Sequence, residues 1–301
     1  MMLETLERLL SSILRTLPPI LLAGLGGMIA ARVKINNLGL EGMMLIGAFV
    51  GAVFMYFTGN PYLSLLATMA VGALLGVLFG FLRIRFHADN LVVSVAINMF
   101  ALGITVYLMK VIFQVRGAVS LPEMRGLPVI RLPFLEGVPV LRGLSGHSVL
   151  VYLSLVLVAV FQYVMYHTVF GLRIRAAGPN PMAVTTAGCN VKLYQYTALI
   201  ISGMLGALGG AHLSLGQLAM FSDNMTNGRG FIAIAATTFG NFTPLGTFAG
   251  ALLFSATDAA TMRFQTAGLP SPLIQIIPYG ITLLTLWLMA ARRKKIEKDV
   301  K

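Results

Sequence analysis

The sequence predicts an all-α fold: a polytopic integral membrane helical bundle with about eight to ten transmembrane helices, some broken or re-entrant. Three observations lead there. The 301-residue chain is 57% hydrophobic and 11% charged, with a mean hydropathy of +0.85, which is more apolar surface than a water-soluble fold can hide. Its apolar residues gather in runs close to the ~20 residues that cross roughly 30 Å of hydrocarbon. Thirteen of its 22 Lys and Arg residues border those runs, at Arg32/Lys34, Arg83/Arg85, Arg173/Arg175/Lys192 and the tail Arg292, Arg293, Lys294, Lys295, Lys298 and Lys301. Basic clusters at segment ends mark cytoplasmic loops, so the net charge of +12 is first a topology signal. They form no stripe, which argues against nucleic acid as a partner. Little chain remains for a soluble region, and residues 1–301 read as a single transmembrane domain.

Nine apolar segments follow in order, at 12–31, 38–58, 62–83, 90–113, 148–169, 193–216, 230–242, 244–264 and 271–291. Ahead of the first, Met1–Arg15 is amphipathic and lacks the pattern of a cleaved signal peptide, so the first span is expected to direct insertion. Asn36-Asn37-Leu38-Gly39 ahead of the second suggests a broken or re-entrant start. With the basic clusters inside, 114–147 and the connection at 221–229 fall outside, and alternation puts the N-terminus outside too. The single Cys189 forms no internal disulfide and falls in a cytoplasmic loop.

The 114–147 stretch carries Pro122, Pro128, Pro133 and Pro139 and six charged side chains. Prolines so spaced forbid a helix and allow short extended pieces or a hairpin. It reads either as an extracytoplasmic docking platform or as a solvated connector. Gly72, Gly76 and Gly80, the pair Gly47 and Gly51, and the cluster Gly203, Gly206, Gly209 and Gly210 have the small-residue spacing that lets membrane helices approach closely. The last group, with His212, also suits a broken helix near a substrate path. A weak internal echo relates 47–76 to 233–255, each apolar, then a Gly/Asn/Pro turn, then apolar.

Catalytic signatures are missing. There is no Gly-x-x-x-x-Gly-Lys-Ser/Thr phosphate loop, no metal-spaced pair among His87, His147, His167 and His212, and no Gly-x-Ser-x-Gly. The chain reads as a non-enzyme with no cofactor. Polar groups inside the apolar segments are costly in lipid and serve a cavity or a partner. They are Glu41, Asn98, Lys110, His212, Gln217, Asn241, Asp258 and Arg263. Lys110 is expected to snorkel. Glu41 complements a helix N-terminus and Asp258 has Arg263 as a candidate partner, or else both serve an ion-coupled carrier.

Gly171–Lys192 is the segment richest in signals. Arg173 and Arg175 are expected at the lipid headgroups. Asn180 is a natural N-cap with Pro181 at the first helical position, and Gly188 closes the helix. The result is a helix of roughly seven residues on the cytoplasmic surface, with Ala183, Thr186 and Ala187 forming a small-residue face for a partner. The alternative is an amphipathic turn resting on the membrane.

Three stretches carry a resemblance. Asn37–Ala48, Gly171–Val191, and Asn227–Ala235 continued by Phe239-Gly240-Asn241-Phe242-Thr243-Pro244-Leu245-Gly246 resemble the signatures of permease subunits of ATP-binding-cassette importers. The likeness is to the branched-chain amino acid, ribose and nucleoside permease family, in its simple-sugar and nucleoside branch. The resemblance implies a second permease subunit, identical or homologous, two cytoplasmic ATPase subunits and an extracytoplasmic substrate-binding lipoprotein, in the cytoplasmic membrane of a prokaryote. It makes 180–188 the coupling helix received by the ATPase, with Arg173, Arg175, Asn180, Ala183, Ala187 and Gly188 as its residues. Pathway candidates are Glu41, Asn98, His212, Arg229, Asn241 and Asp258, and the expected solute is a nucleoside or related sugar-containing compound moved by alternating access. The rivals are an ion-coupled secondary transporter using Glu41 and Asp258, and a membrane scaffold that moves nothing.

Overall fold

A computed structural model of the chain describes residues 2–120, 126–131 and 141–266. Ten α-helices run through these residues: α1 Met2–Arg32, α2 Leu40–Thr58, α3 Pro61–Gly80, α4 Asn90–Phe113, α5 Val149–His167, α6 Val169–Ala177, α7 Pro181–Thr186, α8 Val191–Ala211, α9 Arg229–Phe239 and α10 Pro244–Thr266. Side-chain caps set several starts. The Asn60 carboxamide accepts from the N–H groups of Tyr62 and Leu63, with Pro61 at the first helical position, and Asp89 does the same for Leu91 and Val92. In lipid no water can satisfy those leading N–H groups, so a cap also decides where a span begins.

Six helical stretches among the described residues are long and apolar enough to cross a membrane: 7–32, 40–58, 61–85, 90–113, 149–167 and 191–218. The expected segment at 271–291 and the basic tail lie outside the described residues. The amphipathic start and the first span form one continuous helix, α1, with Pro18 and Pro19 inside it. The 230–242 segment becomes the 11-residue α9, about 17 Å long and too short to span alone.

Helices α1, α2 and α8 form the centre: 89% of the apolar window of α1 is buried, against 28% for α4 and α5. The outer helices α3, α4 and α5 turn residues such as Leu66, Met99 and Val156 outward, as a lipid-facing surface requires. Since lipid gives helices no hydrophobic reason to associate, contact here depends on close backbone approach. A Cβ on Gly210 would overlap the Met44 carbonyl of α2, and one on Gly203 would overlap the Gly72 carbonyl of α3. The glycine cluster therefore packs α8 against α2 and α3. The helix does not break there; it continues as a π-helical stretch through His212–Leu218.

Among the described residues, four two-residue strands pair at one end of the bundle. Ala118–Val119 (β1) is antiparallel to Phe221–Ser222 (β4), and Val129–Ile130 (β2) to His147–Ser148 (β3). Strands β1 and β2 are short extended pieces of the kind expected in the 114–147 stretch, while β4 belongs to the 221–229 connection; residues 121–125 and 132–140 lie outside the described residues. The first half of α1 shares this end, since the Arg15 guanidinium donates to the Gln217 carbonyl. The other end carries the C-terminus of α1, helices α6 and α7, and the α9–α10 turn. The turns of the internal echo, α2–α3 and α9–α10, lie at opposite ends.

Candidate functional site: a broken-helix junction and a protruding helix

Two regions gather the residues singled out in the sequence. The first lies inside the bundle. Residues 33–39, with Val33, Ile35 and Asn37 buried, lead from α1 into the interior before α2 begins. This is the broken start that Asn36–Gly39 suggested. Asn98, about two turns into α4, fixes it: its Oδ1 accepts from Gly42 N–H at 2.8 Å and its Nδ2 donates to the Leu38 carbonyl at 3.1 Å. Asn37 caps Gly39 N–H through Oδ1 and donates to Ser202 Oγ at 3.0 Å.

Helix α9 also begins in the interior, after Gly228 at φ +81°, where a side chain would be strained. Its leading amides have no cap of their own. Glu41 of α2 supplies one: Oε1 accepts from Gly228 N–H at 2.8 Å and Oε2 from Gly230 N–H at 2.6 Å. Glu41 stands in the first turn of α2 as expected, and its two oxygens also cap the N-terminus of α9. Beside it, Arg229 Nε lies 3.8 Å from Asp258 Oδ2 of α10, both side chains largely buried. Asp258 therefore pairs with Arg229; the side chain of Arg263 lies outside the described residues. A cavity of about 90 Å³ adjoins this junction, lined by Asn36, Asn37, Leu38, Ile234, Thr237 and Thr238 among others.

His212 and Asn241 lie elsewhere. The His212 ring is fully buried, with Nε2 3.2 Å from the Arg15 carbonyl and Nδ1 3.4 Å from Ser148 Oγ. Asn241 is exposed in the α9–α10 turn at φ +50°. Lys110 is exposed in the last turn of α4, as snorkelling requires.

The second region is the loop between the fifth and sixth long spans. Helix α7 is six residues long, with Asn180 Oδ1 accepting from Ala183 N–H at 3.1 Å and Pro181 opening the helix. Gly188, at φ +74°, ends it, while Gly188 N–H donates to Thr185 O and Cys189 N–H to Val184 O. Val184 is the one buried residue of α7, at 4% exposure; Met182 is 76% exposed, and Ala183, Thr185, Thr186 and Ala187 are exposed as well. The helix is thus a capped knob held by a single apolar anchor. Arg173 donates to Tyr194 Oη at 2.8 Å, a bond that raises the guanidinium pKa. The Arg175 guanidinium stacks 4.8 Å over the Tyr166 ring. Both arginines brace the loop on the protein's own tyrosines. The sequence marks Arg32 only by its charge and Asn37 only by its place in a signature, because their partners are 210 and 165 residues away.

A multi-pass helical bundle with interior helix starts is an arrangement that membrane transporters use. A family profile described as branched-chain amino acid transport system / permease component matches residues 9–286. The chain is 37% identical to the guanosine ABC transporter permease protein NupQ of Bacillus subtilis, covering 89% of this chain and 87% of that one. It is 33% identical to the nucleoside ABC transporter permease protein NupC of Lactococcus lactis, over 96% and 94% of the two chains. The putative glucose ABC transporter permease protein TsgC13 of Haloferax volcanii is 34% identical, over 87% and 79%. No solved structure matches. The chain belongs to the branched-chain amino acid transport system permease family and is a membrane-embedded ABC transporter permease component. Glu41 and Asp258 are both engaged in holding α9.

Proposed function

We propose that this chain is the permease subunit of an importer that moves nucleosides or related sugar-containing solutes across the cytoplasmic membrane of a prokaryote by alternating access. The observation that carries the reading is α7, a capped and almost wholly exposed helix at the end of the bundle away from the strands. In this reading α7 is received by a partner ATPase that supplies the hydrolysis, and the opposite end faces an extracytoplasmic binding lipoprotein. The solute follows from the names of the guanosine and nucleoside permeases above.

The second permease is a different chain. Bacillus subtilis and Lactococcus lactis each have another permease with the same solute name, NupP and NupB, at 28% and 23% identity to this chain. In both organisms this chain resembles one permease of the two distinctly more, as expected for one half of a heterodimer.

Replacing Ala183 with Asp buries a charge where the partner groove closes on a methyl group, a cost of several kcal/mol. Guanosine uptake is expected to disappear while the amount of protein in the membrane stays normal. Normal uptake by that variant would remove the coupling assignment.

A further inference from the structure

We infer that Arg32, at the end of α1, is the positioning residue that carries motion of the α6–α7 loop to the interior start of α9. The inference rests on the reading of α7 as the contact for the ATPase. Both halves of the connection meet at this one residue.

On the loop side, Gly178 lies between α6 and α7 with its Cα directly against the Arg32 carbonyl oxygen, where a Cβ would overlap it. Gly178 has ordinary helical dihedrals, φ −77° and ψ −65°, so its missing side chain is a matter of space and not of backbone conformation. A backbone-on-backbone contact has no rotamers to absorb a push. Near Arg173 and Arg175 the loop is braced by side-chain contacts to Tyr194 and Tyr166, which are softer.

On the bundle side, Arg32 Nε donates to the Phe242 carbonyl at 2.7 Å. Phe242 lies in the α9–α10 turn, and this turn is stiff. Asn241 and Phe242 both have positive φ, +50° and +54°, and the turn closes through Phe242 N–H to Thr237 O at 3.0 Å. Across it, Gly240 and Gly246 touch backbone to backbone. Helix α9 is short, and its far end is the pair of amides held by Glu41. A displacement of the turn is therefore delivered about 17 Å away at the junction of the two interior helix starts.

The test uses this chain purified with its ATPase partners, comparing hydrogen exchange without nucleotide and with ATP plus vanadate. In the natural protein, nucleotide is expected to change exchange both at 181–188 and at 237–246, by at least a factor of three. Arg32→Met keeps the apolar stem and loses every donor. It should retain the change at 181–188 and lose that at 237–246, and Arg32→Lys, which restores a charged donor, should recover part of it. Gly178→Ala cuts the connection at its other end and should give the same split. A nucleotide response at 237–246 as large in Arg32→Met and Gly178→Ala as in the natural protein overturns the role of Arg32. A natural protein with no response at 181–188 overturns the reading of α7, and the relay with it.

Discussion

Glu41 shows how an acidic side chain can stand inside a membrane bundle by capping a neighbouring helix. Its two carboxylate oxygens satisfy two amides that would otherwise be orphaned at the start of α9. Each such charge-assisted bond contributes roughly 1.5–3 kcal/mol, so Glu41→Ala should lower the thermal unfolding midpoint in detergent and abolish uptake together. Glu41→Gln keeps one acceptor and should fall between. A carboxylate serving a proton cycle would lose transport with little loss of stability, and scanning fluorimetry separates the two outcomes. The same logic applies at Asp258, whose partner Arg229 lies 29 positions away in sequence. Uptake by the natural protein should survive an uncoupler when ATP is maintained, as expected of an ABC transporter permease component.

At the scale of elements, two kinds of signal behave differently. Local ones were readable: the cap by Asn180, the first-position Pro181 and the closing Gly188 all depend on neighbours within a few residues. Asn180→Ala frees the Ala183 amide and should weaken α7 by about 1 kcal/mol. Uptake should decline but persist, measurable as a lower maximal rate with normal amounts of protein. The glycine cluster on α8 was readable as small-residue spacing, yet its partners were not. Gly210→Leu drives a side chain into the Met44 backbone and separates α8 from α2. Overpacking of a yielding core costs about 1–3 kcal/mol, and a backbone neighbour yields less. The expected result is loss of folded, monodisperse protein on size-exclusion chromatography.

For the whole molecule, the bundle has two unlike ends, one with the paired strands and one with the exposed knob. Their separation is what a transporter driven from one side of the membrane needs. Cys189, the one cysteine of the chain, reports on which end faces the cytoplasm. A membrane-impermeant maleimide should label it only after cells are permeabilised. Labelling in intact cells would invert the orientation and the importer reading with it.

The sequence alone determined the class: apolar runs of spanning length, basic residues at their ends and a capped short helix are local statistics that survive without any contact map. It also placed the interior break before α2, since Asn-Asn-Leu-Gly disfavours a continuous helix. Only the tertiary structure decided that Glu41 serves α9, that Asp258 pairs with Arg229 and that Arg32 joins the α6–α7 loop to the α9–α10 turn. Those pairings span 29 to 210 positions, and in a bundle the partner of a polar group is chosen by which helices touch. Helix contact is set in turn by where glycine lets two backbones meet, and no single segment of sequence contains that information.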